Sequence, residues 1–500
     1  MKTARLAVAA GSRLGSEAAA TVARSGGNAV DACLASAIMA WVAEPFFASV
    51  GGSGFIAVRS PDHEVIVYDG NNAMPMSRPQ EKGQGLRRVF LDYSNGMYTG
   101  TGGGSVAVPG VLAAAHAAWS DHGKIEWEAL FEPAIAAART GLGFPRTSGF
   151  YLSVTWDAIW SRYPAARALF GPHGRPLIEE EPLVQAELAD SLAAIAVEGP
   201  REFYEGRLAA ELADAIQEDG GLIASQDLAA YAGERRRPVE IDAFGWRIAS
   251  NPPPAVGGAV LAHMLSLVDA NALTDPVARL RTIIASESAA VNFRHDRYED
   301  PGQIAGALEE ALERVRRRGA GPESTTHSSA ADWDGRACSM TQSNGYGAGL
   351  VIRGILLNNT LGEEELNPMG LHGLEPGSRC HSNMAPSIAC GPEIAVALGS
   401  PGADRIVGAI AQTIIAMAVD GLSLADAVAA PRAHVAVKPE GELLCYEPGL
   451  PGERIEGFTQ RPYDQIHMFF GGVQAASVTD DGIVDAAHDP RRSGASVLVF

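Results

Sequence analysis

Apolar residues recur at helical spacing over residues 16–25 and stop at Gly26-Gly27, a pair that ends helices readily. Asn28 then offers a side-chain cap to a second, almost wholly apolar helix that runs to about Trp41 and breaks at Glu44-Pro45. Beyond a glycine-rich loop at 50–54 the period changes from helical to alternating. Residues 55–58 and 65–68 read as the two strands of a hairpin. Residues 76–104 show neither period, are rich in glycine and end in Gly102-Gly103-Gly104, so they are predicted to be irregular. From Pro109 to about Ala243 the pattern predicts mostly helices, with breaks at Gly123, Pro145, Gly171-Pro172 and Gly220-Gly221.

Asn251-Pro252-Pro253-Pro254 marks a rigid connection, after which Gly257-Gly258 opens another helix. Residues 303–318 read as a charged, exposed helix, and 319–324 as a flexible linker that cannot extend it. Two short strands follow, 326–331 and 336–343, joined by the turn Asp332-Trp333-Asp334-Gly335. Residues 355–357 form a further buried strand, 405–420 a strongly apolar helix, and the remainder short strands with turns. There is no internal repeat and no low-complexity tract.

Composition narrows the class. A chain of 500 residues with 46% hydrophobic and 20% charged positions can bury a large core. Its formal net charge of -20 argues against a nucleic-acid partner, because phosphate binding needs a basic face. Lysine is confined to Lys2, Lys82, Lys124 and Lys438, so nearly all positive charge is arginine. The five cysteines, Cys33, Cys338, Cys380, Cys390 and Cys445, are an odd number spread over a long chain and do not read as a disulfide framework. No apolar run reaches the length of a membrane span, and the stretch after Lys2 and Arg5 is too short for a secretory core segment. The expectation is a cytoplasmic protein with no membrane partner.

The chemistry concentrates at Ser324-Thr325-Thr326-His327, where the flexible linker runs straight into a strand. A threonine hydroxyl is a poor nucleophile without a base in reach. A free α-amine, with a pKa of roughly 7.7–8.0, can be that base, whereas an amide nitrogen cannot. Scission between Ser324 and Thr325 would create such an amine beside its own hydroxyl. The plainer reading is a pair of ordinary strand threonines, since threonine favours strands. Gly399-Ser400-Pro401-Gly402-Ala403-Asp404-Arg405, directly before the apolar helix, is a second candidate: adjacent N–H groups at a helix start can hold an oxyanion, or form a plain turn. The glycine runs match no dinucleotide or phosphate-loop fingerprint, and Gly-x-Ser-x-Gly is absent. His372 and His381 flank Cys380 without a zinc spacing, so neither a metal nor a cofactor is expected.

Taken together the motifs resemble the γ-glutamyltransferase (γ-glutamyltranspeptidase) family over essentially the whole chain. Gly26-Gly27-Asn28-Ala29-Val30-Asp31-Ala32 looks like its N-terminal signature, followed by Glu44-Pro45, Ala107-Val108-Pro109-Gly110, Phe203-Tyr204-Glu205-Gly206 and Asp227-Leu228-Ala229-Ala230-Tyr231. Most specific are Thr325-Thr326-His327, Asp334-Gly335, Asn358-Asn359, Gly399-Ser400-Pro401-Gly402 and the terminal Asp489-Pro490-Arg491-Arg492. The resemblance implies an α+β fold, the four-layer αββα sandwich of N-terminal-nucleophile hydrolases. It also implies self-cleavage into fragments 1–324 and 325–500 that remain one folded unit.

By the same resemblance Thr325 is the nucleophile, Ser343 its hydroxyl partner, and Gly402 and Ala403 the oxyanion donors. Asn344 and Glu363 fall at substrate-binding positions, Ser382-Asn383 replaces a serine pair that grips the donor carboxylate, and the gripping arginine is Arg87, Arg88 or Arg78. The implied partners are a small-molecule amide and a water or amine acceptor, with a γ-glutamyl donor such as glutathione as the default. The altered pocket keeps two other readings open: a non-glutamyl amide or β-lactam side chain, and a binding protein that has lost catalysis. Whether copies associate into a homo-oligomer is left open.

Overall fold

The alternating segments do pair: Ser53–Arg59 runs antiparallel to Val65–Gly70. The Thr-Thr-His segment begins a fully buried strand, Thr325–Asp332, which pairs with Ala337–Ser343. These are the centre of a seven-stranded antiparallel sheet in the order Ala495–Val499, Leu6–Ala10, Thr325–Asp332, Ala337–Ser343, Ser53–Arg59, Val65–Gly70, Glu234–Arg236. A six-stranded antiparallel sheet, ordered Val484–His488, Gln474–Thr479, Ile394–Gly399, Ser387–Cys390, Trp246–Ser250, Val239–Ala243, stacks on it. This computed structural model describes residues 3–92, 96–291, 325–364, 366–367, 370–438 and 441–500. The expected helix over 303–318, the linker and Ser324 lie outside the described residues.

Between the sheets Phe55, Val67 and Ala337 interdigitate with Ile388 and Ala397. On the outer face of the first sheet lie the helices Arg13–Arg24, Ala29–Ala43 and Val111–His122. Gly257–Leu267 and Arg405–Ala418 cover the second. The layers are therefore α, β, β, α, as the resemblance implies. Every residue of Ala29–Ala43 is buried, and Asn28 caps it in a reciprocal box with Asp31. Small alanines on this helix let it lie close on the sheet, and each fully buried Leu, Ile or Val adds roughly 1.5–3 kcal/mol.

Three predictions need correction. Residues 234–243 are strands rather than helix: Glu234–Arg236 is an all-polar edge strand without a period, and Val239–Ala243 is an edge strand that alternates apolar and polar residues over only five positions. The irregular stretch contains a hairpin, Arg87–Leu91 with Met97–Thr101. Leu6–Ala10 is a strand that sequence reading left unassigned; buried on both faces, it shows no period. Among the described residues no helix is long and apolar enough to cross a membrane.

Candidate active site

Strand ends from both sheets meet at one rim. Register places Thr325 opposite Ser343 and Ser343 opposite Ser53, so neighbouring strands present hydroxyls side by side. Thr325 Oγ1 donates to Ser343 Oγ at 3.4 Å, and Ser343 Oγ also accepts the Gly345 N–H at 3.2 Å. The hydroxyl contact is long, as catalytic hydrogen bonds often are before substrate tightens them. Among the described residues no imidazole, carboxylate or amine bonds to the Thr325 hydroxyl. His327, two residues along the same strand, is held between Thr341 Oγ1 and Ser329 Oγ at 2.8 Å each, and burial pushes its pKa down to about 3. It is a neutral structural group and a weak base.

The second sheet approaches at His327. A Cβ on Gly399 would lie 2.4 Å from the imidazole Cε1, so only glycine permits this contact. From there the chain turns through Pro401, which lines one cleft with Thr325, into the helix Arg405–Ala418. Gly402 has φ +133° and Ala403 φ +50°. Alanine thus stands in a left-handed conformation that costs a residue with a side chain roughly 1–2 kcal/mol. Neither the Gly402 nor the Ala403 N–H meets an acceptor among the described residues.

Charge backs this turn from below. Glu287 accepts from His434 Nδ1 at 2.9 Å, and Asp404 lies 3.4 Å from His434 Nε2, an ion-pair distance without hydrogen-bond alignment. Burial alone would discharge His434, but Glu287 and Asp404 outweigh it and raise its pKa to about 9. Burial likewise opposes ionisation of Asp404, yet Arg405 and His434 hold its pKa down at about 2.

On the Ser343 side of Thr325 lie the expected substrate contacts. Asn344 is fully buried; its Oδ1 has no hydrogen-bond partner among the described residues, while its amide reaches the Leu357 carbonyl at 3.5 Å. Glu363 reaches the same wall, since a Cβ on Gly345 would come 2.6 Å from its Oε1. Asn358 and Asn359 staple the surrounding loops, bonding Gly51, Ala107, Thr99, Gly100 and Tyr346. Asn72 ties the Cys380–Ser382 segment to this wall through Thr360. Ser382 Oγ accepts the Met384 N–H, and its carbonyl takes the Val256 and Gly257 N–H groups; Asn383 packs its carbonyl against Gly257.

The three candidate arginines are all ion-paired. Arg87 pairs with Asp219 at 3.2 Å and sits over Tyr163, Arg88 pairs with Glu364 at 2.5 Å on the opposite face of its strand, and Arg78 pairs with Glu375. None of the three is therefore an uncommitted guanidinium. His372 Nε2 donates to the Gly104 carbonyl, and among the described residues no three His, Cys, Asp or Glu groups gather as metal ligands.

On the other side of Thr325 is a cleft of about 20 Å³, room for roughly one water, lined by Glu44, Thr326, Gln474 and Arg492. Glu44 accepts from Thr326 Oγ1 at 2.7 Å, and burial raises its pKa. Sequence reading quoted Glu44 and Arg492 only as parts of motifs. Their proximity comes from strand order, which joins chain positions 448 residues apart and leaves no local signal.

A family model described as Gamma-glutamyltranspeptidase matches residues 15–499. Acylase ACY 1 proenzyme of Pseudomonas sp. (strain V22) is 31% identical, aligned over 97% of this chain and 92% of its own. Glutathione hydrolase proenzyme of Escherichia coli (strain K12) is 28% identical over 94% and 87%. In three dimensions the chain is similar to the crystal structure of cephalosporin acylase from Bacillus halodurans, with a TM-score of 0.81 at 22% identity, covering 99% of this chain and 96% of that one.

Proposed function

The chain belongs to the gamma-glutamyltranspeptidase family and is an enzyme of that type, and from this premise we propose that it is a self-processing amide hydrolase and acyltransferase with Thr325 as nucleophile. The observation that carries the reading is a threonine hydroxyl at a buried strand start, bonded among the described residues only to another hydroxyl, in a cleft it shares with Pro401 at the head of the Gly402-Ala403 turn. Such a group needs a base, and its own freed α-amine is the economical one.

In the processing step the Thr325 hydroxyl attacks the Ser324 carbonyl, the peptide C–N bond breaks as the ester forms, and water hydrolyses that ester. Ser324 becomes a carboxylate and Thr325 an amine. Fragments 1–324 and 325–500 stay together, because the hairpin starting at Thr325 is paired on both sides by N-terminal strands. In turnover the amine takes the hydroxyl proton and the oxygen attacks an amide carbonyl. The Gly402 and Ala403 N–H groups hold the developing oxyanion, worth about 2.7–4 kcal/mol per donor in such sites. The leaving amine departs with the proton, and water or a second amine receives the acyl group.

A γ-glutamyl donor such as glutathione is the leading substrate, supported by Glu363 and Asn344 as acceptors for an ammonium on the Ser343 side. The pairing of Arg87 with Asp219 favours a second reading, an acyl group without an α-carboxylate, as in a non-glutamyl amide or a β-lactam side chain. Mass spectrometry tests the shared chemistry. Purified protein is expected as two pieces, the smaller beginning at residue 325 and gaining the acyl mass from γ-glutamyl-4-nitroanilide or glutaryl-4-nitroanilide. Thr325→Ala stays intact. Active protein with residues 324 and 325 still joined refutes the mechanism.

A further inference from the structure

The water-sized cleft beside Thr325 shares part of its wall with a much larger cavity. Thr147, Arg492 and Ser493 line both it and a cavity of about 670 Å³, within the usual range for small-molecule sites. Strand order fixes which side of the nucleophile this cavity occupies. In the first sheet Ser343 and Ser53 lie to one side of Thr325, with Asn344 and Glu363 beyond them, while Ala10 and Ala495 lie to the other. In the second sheet the Ser382-Asn383 segment precedes Ser387–Cys390 on the first side, and Pro490 to Arg492 follow Val484–His488 on the second. An amide carbonyl held over Gly402-Ala403 would therefore extend its acyl half toward Asn344 and Glu363, and its amine half toward this cavity.

The walls combine rings with cations, in a chain whose net charge is -20. Tyr463 stacks on Phe469 with centroids 5.5 Å apart and planes at 19°. Arg461 sits 5.3 Å over Tyr463, and Arg405 lies 4.9 Å over Phe469. Phe150 and Ile466, 52% and 41% exposed, leave apolar surface at the mouth that a ligand would cover. Two of the cavity's arginines are neutralised internally: Arg405 by Asp404, and Arg491 by Glu447 and Asp489. Arg146 and Arg461 have no carboxylate partner among the described residues, and both line the cavity. A site with an aromatic wall and two such guanidinium groups fits a planar or branched apolar body that carries a carboxylate.

We propose that this cavity is the subsite for the amine half of the substrate, both leaving group and acceptor, and that it selects apolar or aromatic amines bearing a carboxylate recognised by Arg146 and Arg461. The assignment rests on the acyl-transfer reading above. The test compares two donors that differ only in the leaving aniline, γ-glutamyl-4-nitroanilide and γ-glutamyl-3-carboxy-4-nitroanilide; the glutaryl pair replaces them if γ-glutamyl does not label Thr325. The ratio of their kcat/KM values in wild type is divided by the same ratio in the double variant R146Q/R461Q, which cancels the intrinsic reactivity of the anilines. A drop of about tenfold in preference for the carboxylated donor, carried by KM, is expected, with Tyr463→Ala raising KM for both. An unchanged ratio with Thr325 still acylated overturns the subsite alone. Failure of every donor to acylate Thr325 in wild type overturns the acyl-transfer reading and the subsite with it.

Discussion

The two halves of the site are held in opposite ways. The half that carries the proposed nucleophile belongs to the first sheet and is built from hydroxyls and an imidazole: Thr325, Ser343, Ser53 and a neutral His327, positioned by backbone register. The half proposed to hold the oxyanion belongs to the second sheet and is a two-residue turn backed by Glu287, His434, Asp404 and Arg405. Register tolerates loss of a side chain because the ladder remains, whereas a buried ionic cluster does not, because each removed partner leaves a charge uncompensated. Substitutions and pH should therefore act on chemistry in the first half and on integrity in the second.

The largest effect is expected at Glu287. Replacing it by Ala strips His434 of its hydrogen-bonded carboxylate inside the fold and should cost about 3–5 kcal/mol of stability. Urea denaturation of the variant reads this, and a loss below about 1 kcal/mol would mean the cluster is not what holds the turn.

The same cluster sets a pH window. His434 has a folded pKa of about 9, above the unfolded value of about 6.5, so its contribution is complete below pH about 6.5 and is lost as pH rises through about 9. Asp404, held down at about 2, contributes above its ordinary carboxylate range and fails as pH falls through about 2. Thermal midpoints should fall on the alkaline side in wild type, and His434→Gln should flatten that limb. Glu287 and Asp404 face the imidazole, with Arg405 paired to Asp404 behind it, and Phe469 meets it edge-on at 5.8 Å, so water offers little relief.

Ser343 tests the other half. Ser343→Ala removes the partner of the Thr325 hydroxyl and should lower kcat by up to about tenfold, the size of one lost hydrogen bond. The Thr325–Ser343 backbone pairing remains, so the melting midpoint should move little. A large fall in stability with kcat intact would reverse the contrast drawn between the halves.

The two halves also differed in how far the sequence disclosed them. The strand beginning with Thr-Thr and its partner through Ser343 were legible, because β-favouring residues on either side of the turn Asp332-Trp333-Asp334-Gly335 are a local pattern. So were the Gly399–Ala403 turn before an apolar helix and the Asn28 cap. The ionic cluster was not, since Glu287, Asp404 and His434 come from three separate elements. The arginine-lined cavity was hidden for the same reason. Arg87 shows a further limit: the resemblance left it one of three candidates with Arg88 and Arg78, and its guanidinium is tied to Asp219, a partner 132 positions away.

Ala403 offers the finest test. Its φ of +50° is the left-handed region, where the methyl group costs roughly 1–2 kcal/mol relative to glycine. Glycine, however, has more freedom in the unfolded chain, which returns about 0.5–1 kcal/mol of that gain. Ala403→Gly should thus stabilise the protein by about 0.5–1 kcal/mol, visible as a small rise in the denaturation midpoint. The N–H that would face the oxyanion is unchanged, so kcat should stay within about twofold. If the variant instead loses stability, the methyl must be contributing packing that outweighs its strain, and the turn would be held by that contact as well as by the charges behind it.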